Sequence, residues 1–373
     1  MRHHSIKKTL TLSLMWLTLS RVQGFVPRYS HSKTASSAIR YGLEAEDIYA
    51  AIHRKEYEMK KVNAQHTSTT DPVRMAMSYA QETASPMRLA RALRRVHEDV
   101  DEKESPGLAG MRRASFIVDI KRKSLSRPGE VFCNFDDAGM VAEAMVRLGA
   151  DAVIVNTDFA AYGGDITELK SAVKAVRKVS KTAAVIMKDI VVDEIQLGMA
   201  KEAGADGIIL QSCVLGPALD SFLDLATFMG LETIVECHTR AEVERALEVN
   251  VAPTILINNH DRITGEYYPD QGIKLAGLFP GSGGPIITLC GGGIETIDDM
   301  KRHLVAGFDG VIVGKAVMGS PLAPEFIRAV RDRTLLPAEI AHWAKDAEFD
   351  LDGNLMPGPK SNIPSPDDPS SYQ

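Results

Sequence analysis

Apolar residues in this chain gather into short unbroken runs, and between the runs they recur at every third or fourth position of otherwise polar stretches. The runs are FIVDIK from Phe116, AVIVNT from Ala152, AAVIMKD from Ala183, GIILQS from Gly207, TIVECH from Thr233, TILINN from Thr254, PIITLC from Pro285 and GVIVGK from Gly310. They are too short and too β-branched for helices and read as strands buried on both faces, with amphipathic helices between them. Eight such units, spaced about 20 to 36 residues apart, predict an α/β fold, a (β/α)8 TIM barrel forming one domain of ~250 residues. An open doubly wound sheet is the alternative reading of the same pattern.

A phrase recurs where helix gives way to strand: LGADAVIV (Leu148 to Val155), AGADGIIL (Ala203 to Leu210) and AGFDGVIV (Ala306 to Val313). Its glycine fits a helix C-cap, because a residue without Cβ accepts the left-handed conformation there. Two further helical patterns precede the first run, DIYAAIHRKEYEMKK from Asp47 and PMRLARALRRV from Pro86, the second with apolar Leu89, Leu93 and Val96. A barrel closes without them, so they are expected to cap its bottom or to cover the substrate. The expected organisation is a targeting presequence at 1–40, a helical extension at 41–115, the barrel at 116–335, and a helix remnant with a disordered Pro/Ser/Asp/Gly-rich tail at 336–373.

Composition changes this picture little: 45% hydrophobic and 25% charged residues are ordinary for a globular protein. The first 40 residues hold seven Lys or Arg and no acid, so their removal takes the formal net charge from −6 to −13. An acidic mature protein is not built for sequence-independent nucleic-acid binding. The N-terminus reads as a basic start, an apolar segment LTLSLMWLTLS from Leu10 and an acid-free, Ser-rich stretch SHSKTASSAIR from Ser30, in the order of a signal peptide and then a transit peptide. Its junction VQGFVP (Val22 to Pro27) resembles the cleavage site of bipartite plastid presequences of algae with complex plastids. The plastid stroma is therefore the expected location, with secretion as the alternative, and beyond the N-terminus no run of membrane-spanning length is expected. Cys133, Cys213, Cys237 and Cys290 form no CxxC or Cys/His ligand spacing, so packing roles are expected rather than disulfides or a metal site.

In a barrel the chemistry sits where strands end, at the C-terminal face. Those ends carry Lys121, Asn156 with Thr157, Lys188 with Asp189, Gln211 with Ser212, Glu236 with His238, Asn258 with His260, the glycines 291 to 293, and Gly314 with Lys315. Loops after strands seven and eight commonly bind phosphate through backbone amides, which makes Gly291, Gly292, Gly293, Gly314 and Lys315 the candidate phosphate end. Lys188 and Glu236 project into the same mouth from strands three and five, as proton donor and acceptor or as a structural ion pair. Lys121 opens the polar run KRKSLSRPG, suited to holding a carboxylate or phosphate. No Ser/His/Asp arrangement stands out and no Gly-rich dinucleotide loop follows strand one, which leaves a phosphosugar lyase or isomerase working without cofactor.

Taken together, DIKRKSLS on strand one, VNTDFAAYGGDITEL after strand two, MKDIVVDEIQLGMAKEAGAD around strand three, TIVECH, INNHD, and the GGGI and VGKAVM loops resemble the indole-3-glycerol-phosphate synthase family, from about Asp47 to Ile327. The resemblance implies ring closure of 1-(2-carboxyphenylamino)-1-deoxyribulose 5-phosphate with loss of carbon dioxide and water, in tryptophan biosynthesis. It implies Lys188 as general acid and Glu236 as its acid-base partner. By the same resemblance Lys121 holds the substrate carboxylate and Asn258 positions the sugar; Asp119 is a further catalytic candidate, and Ser124, His260, Arg262 and Tyr162 are the substrate-binding candidates. Contact with other enzymes of the pathway is a further expectation.

Several positions depart from the family's pattern. Asp119 stands for Glu, Leu125 for Pro, His260 for Arg, Gly291 and Gly292 for Glu-Ser, and Lys315 for a small residue. Asp for Glu shortens reach by one methylene, and His for Arg removes a permanent charge and a bidentate fork. Arg262, two residues beyond His260, and Lys315 are the candidates to restore that charge. A related barrel acting on another phosphosugar, or a catalytically impaired binding relative, are the alternatives these substitutions open.

Overall fold

The computed structural model describes residues 47–78, 87–96, 112–125, 130–249, 254–279, 284–318, 320 and 323–331; the presequence, both its cleavage points and the C-terminal tail lie outside them. Eight parallel strands close a barrel in sequence order: β1 (Ser115–Ile120), β2 (Ala152–Asn156), β3 (Ala184–Lys188), β4 (Gly207–Gln211), β5 (Glu232–Cys237), β6 (Thr254–Asn258), β7 (Ile287–Gly291) and β8 (Gly310–Val313). β8 pairs back onto β1, with Ile117 opposite Ile312, so the open-sheet alternative falls away. Each run read from the sequence overlaps one of these strands, and no strand reaches more than one residue beyond its run.

The repeated phrase does two jobs. Gly149, Gly204 and Gly307 take φ values of 113°, 83° and 106°, the left-handed turn that ends each helix and that a Cβ would strain. The acid two residues later also repeats its geometry. Asp151, Asp206 and Asp309 accept the backbone N–H of Phe116, Val185 and Thr288 on the preceding strand, at 3.0, 2.8 and 2.8 Å. Arg113, Arg177 and Arg112 pair with the three acids in turn, tying the bottom of the barrel together.

The extension before the barrel divides between its two ends. α1 (Ile48–Gln65) starts at Asp47, whose side chain caps the N–H of Ala50 at 2.8 Å. It is fastened to the loops leaving β2 and β3, where buried Lys55 meets Asp158 at 2.6 Å and Asp189 at 3.0 Å. α2 (Pro72–Ser78) packs behind those loops, Val73 clustering with Met59 and Ile195. α3 (Arg88–Leu93) plugs the barrel bottom. Leu89 and Leu93 enter a space left by small residues, and a Cβ on Gly207 would lie 2.6 Å from Leu89. Burying each leucine contributes about 1.5–3 kcal/mol. Glu232 at the start of β5 accepts the N–H groups of Leu89 and Ala90 at 2.7 and 2.8 Å, so the barrel itself caps its plug.

One stretch beyond the N-terminus, Ser212–Met229, is after all long and apolar enough by composition to pass for a membrane span. Here it is a short helix, a 3-10 turn at Gly216–Ala218 and the barrel helix Leu219–Met229, with Leu219, Phe222 and Leu223 buried in the core. Cys237 and Cys290 pack in that same outer core between strands and helices, and all four cysteines are free thiols.

Alternation along the strands sends one residue in two into the barrel, and closure with a stagger sorts these into layers drawn from alternate strands. Ile117, Ile186, Ile234 and Leu289 form an apolar layer, and Ile154, Ile209, Leu256 and Ile312 the next. The registers then place Asp119, Lys188, Glu236 and Gly291 above these, followed by Asn156, Gln211, Asn258 and Gly314. Polarity thus changes abruptly from one layer to the next at the C-terminal mouth.

Candidate active site

Lys188 and Glu236, 48 residues apart in sequence, belong to one layer and touch: Lys188 Nζ donates to Glu236 Oε2 at 2.7 Å, with both side chains buried. The other carboxylate oxygen accepts from Asn258 Nδ2 at 2.8 Å, Arg262 Nε at 3.2 Å and His238 Nε2 at 3.3 Å. Burial alone would raise this carboxyl, but the Lys188 and Arg262 charges and the His238 contact outweigh it and hold Glu236 well below the ordinary carboxylate range. His238 faces carboxylates on both sides, its Nδ1 lying 3.2 Å from Glu242. Burial would lower its pKa; the contacts with Cys213, Glu236 and Glu242 win and hold it well above the usual histidine value.

A second acid–cation pair sits at the end of β1. Lys121 Nζ bonds Asp119 Oδ2, while Asn156 Nδ2 donates to Asp119 Oδ1 at 2.6 Å. Burial pushes Asp119 up, and Lys121, Lys188 and Asn156 bring it below its ordinary value. The backbone beside Lys188 is held as firmly. Thr157 N donates to Lys188 O at 2.8 Å, and Thr157 Oγ1 donates to Asp189 Oδ2 at 2.7 Å. Asp189 is in turn the partner of Lys55 from α1. Burial opposes a charged Lys55, but Asp189 and Asp158 reverse that and raise its pKa.

The cleft over these layers has Leu256 and Ile312 as its floor and is bordered by Lys121, Ser124 and Lys188 on one side. The glycines 291 to 293 complete the rim, with Gly314 and Lys315 between them and β1. Gly292 and Gly293 have φ of 85° and 71°. A Cβ on Gly292 would lie 2.2 Å from Asn258 Oδ1, and one on Gly293 2.3 Å from the Tyr267 ring. Gly291 is less restricted, its added Cβ meeting Ile312 at 3.1 Å. The triplet therefore lets the loop close onto Asn258 and Tyr267, besides exposing backbone to the cleft.

His260 lines the cleft with its ring stacked on Tyr267, centroids 4.6 Å apart, and its backbone N–H donates to Asn258 Oδ1 at 3.0 Å. Arg262 reaches past it to Glu236. Of the candidates read from sequence, Tyr162 departs from expectation. It is fully buried under α1 with Ala51, Ala161 and Ile190, behind the cleft rather than lining it; burial pushes its phenol up to about 12, within reach of the Arg262, Glu236 and Lys121 charges. In the other direction, His238 and Asn156 stood in the sequence only as strand-end residues, yet each bonds a site carboxylate. Their inward parity was the available signal for Asn156; His238, beyond the strand, had none.

A closed parallel barrel with a buried lysine–carboxylate pair at its C-terminal mouth defines a (β/α)8-barrel enzyme with an acid–base centre. Comparison with known proteins identifies which kind. The family model described as indole-3-glycerol phosphate synthase matches residues 59–330. The indole-3-glycerol phosphate synthase of Chlorobium limicola is 34% identical over 206 residues, covering 55% of this chain and 76% of the relative. That of Chloroherpeton thalassium is 31% identical over 244 residues, covering 65% and 85%, and that of Chlorobium phaeovibrioides 32% over 205 residues, covering 55% and 75%. The chain belongs to the indole-3-glycerol phosphate synthase family, carboxy-lyases of tryptophan biosynthesis.

Proposed function

We propose that Lys188, Glu236, Lys121, Asp119 and Asn258 carry out the family's ring closure on 1-(2-carboxyphenylamino)-1-deoxyribulose 5-phosphate. Attack of the aromatic carbon on the ketose carbonyl builds negative charge on oxygen, and the Lys188 ammonium neutralises it by proton transfer. Carbon dioxide leaves to restore the aromatic ring, and the new hydroxyl must then be protonated to depart as water while a proton is lost elsewhere. Glu236, in contact with Lys188, is the partner for that exchange, and Asn258 fixes both Glu236 and the sugar. Lys121, shared with Asp119, holds the substrate carboxylate, with Ser124 beside it. Backbone amides of Gly291, Gly292, Gly293 and Gly314, with Lys315, take the phosphate. A preorganised, largely dry layer supplies electrostatic stabilisation without reorganisation.

The observation that carries this reading is the 2.7 Å contact between Lys188, which lines the cleft, and Glu236, buried behind it. The test is turnover of the anthranilate–ribulose phosphate by protein starting at about residue 41, followed by indole fluorescence. Indole formation that disappears in Lys188→Ala is expected; a folded wild type that binds substrate and makes no indole would overturn the assignment. Arg262, within 3.2 Å of Glu236, supplies the guanidinium that the family's pattern has at His260. Unchanged turnover in an Arg262→Ala, Lys315→Ala double variant would dispose of that compensation.

The plastid address rests on residues 1–40 alone, through the succession of a basic start, an apolar segment and an acid-free Ser-rich stretch. A fluorescent protein fused behind these residues in an alga with a complex plastid is expected to collect in the stroma. Export to the medium would decide for secretion.

A further inference from the structure

Three amides, Asn156, Gln211 and Asn258, share the uppermost inward layer with Gly314. Two of them have the same employment. Asn156 on β2 donates to Asp119 on β1, and Asn258 on β6 donates to Glu236 on β5, each reaching the acid of the layer below on the preceding strand. Gln211 on β4 follows Lys188 on β3, so the residue in that place is a cation. The Gln211 Nε2 group has nothing there to donate to, and the Lys188 ammonium donates to Glu236 and makes no bond to Gln211 Oε1.

The consequence is visible in the structure. Gln211 is 1% exposed, and neither its Nε2 nor its Oε1 has a hydrogen-bond partner among the described residues. Its direction is set by the strand: Ile208 and Leu210 pack outward into the helix-facing core, whereas Ile209 packs inside the barrel, and Gln211 shares the parity of Ile209. A buried amide unpaired by protein costs stability unless a bound water or a ligand supplies its partners, and Gln211 faces the mouth where substrate enters.

We propose that Gln211 is a substrate-contacting residue that takes the hydroxyl-bearing carbons of the sugar chain, beside Lys188. The amide presents a donor and an acceptor side by side. A carboxylate or phosphate oxygen would satisfy Nε2 and be repelled by Oε1, whereas a hydroxyl, or two neighbouring ones, satisfies both. The proposal rests on the ring-closure reading above for the identity of the sugar, and it assigns the chain hydroxyls a specificity contact distinct from the phosphate end and from the acid–base pair.

The test compares wild type with Gln211→Met, similar in volume and without hydrogen-bonding groups, by equilibrium binding of the anthranilate–ribulose phosphate, by its turnover and by thermal melting. Analogues lacking one or the other chain hydroxyl are measured on both proteins. The expected result is that Gln211→Met weakens binding and kcat/KM about tenfold while Tm holds or rises, since an unpaired buried amide is removed. One deoxy analogue should bind wild type about tenfold more weakly than the full substrate, and Gln211→Met should no longer distinguish the two. Unchanged binding and turnover in Gln211→Met, or a fall in Tm with binding intact, would overturn the proposal; if that variant does not fold, wild type that fails to distinguish either deoxy analogue overturns it. Wild type that binds substrate without forming indole would sink the ring-closure reading alone, because the binding arm still decides for Gln211. Absence of substrate binding to wild type would overturn both.

Discussion

Replacing Glu236 with Gln should destabilise the protein far more than replacing its catalytic partner Lys188 with Met. Glu236 is completely buried and is the acceptor for two cations, Lys188 and Arg262, as well as for Asn258 and His238. Its neutralisation leaves both cations buried around an amide, and breaking a buried ion pair from one side costs about 3–5 kcal/mol. Lys188→Met removes only one of the four partners of the carboxylate; Arg262 and His238 still compensate the charge, so a loss of about 1–2 kcal/mol is expected. At roughly 2–4 °C per kcal/mol for a domain of this size, the Gln variant should melt about 6–20 °C below wild type. Urea unfolding at pH 7, followed by circular dichroism, measures both differences.

The pH dependence has a definite sign. The folded pKa of Glu236 is depressed, so its contribution is fully present above the unfolded carboxyl value of about 4.3 and is lost as pH falls through the folded value. The gap between wild type and Glu236→Gln should therefore hold at pH 7 and narrow only below about pH 4.3. Both variants should lose activity by about 10²–10⁴-fold. A Gln variant as stable as wild type, or a Lys188→Met variant that loses more, would refute the idea that Glu236 is the hub of the site.

Three further outcomes follow from the geometry. His238 has its pKa raised, so its stabilising charge is complete below about pH 6.5 and is lost as pH rises through the folded value; the stability difference between wild type and His238→Asn should shrink on the alkaline side in denaturation series. Gly292→Ala should lower kcat/KM sharply by driving Asn258 off Glu236, whereas Gly291→Ala, with ordinary backbone and a 3.1 Å contact, should retain most of it; steady-state kinetics separates the two. Glu232→Ala should cost about 1–2 kcal/mol in unfolding experiments through loss of the cap on the plug helix, with turnover of the folded fraction unchanged.

How far the chain could be read from its letters depends on the range of the interaction concerned. Strands and helices are written in local periodicity and the glycine of the repeated phrase in local backbone preference, so all eight strands were legible, as were the helix that starts at Asp47 and the three left-handed C-terminal turns. Residues at strand ends could be assigned to the mouth because parallel strands in a barrel all end there. The Asp of the same phrase was not legible as a tie, since its partners Phe116, Val185 and Thr288 lie one strand back.

What only the tertiary structure decided is which strand ends meet. Closure with a stagger sets Lys188 against Glu236 and Asn156 against Asp119, and leaves Gln211 beside a cation it cannot donate to. It brings Arg262 onto Glu236 across the stacked His260 and Tyr267, and it divides the extension between plug and flank, α3 below and α1 over the loops of β2 and β3. None of these pairings has a local signature, because each joins residues whose separation in sequence is set by intervening helices, while their distance in space is set by the geometry of a closed sheet.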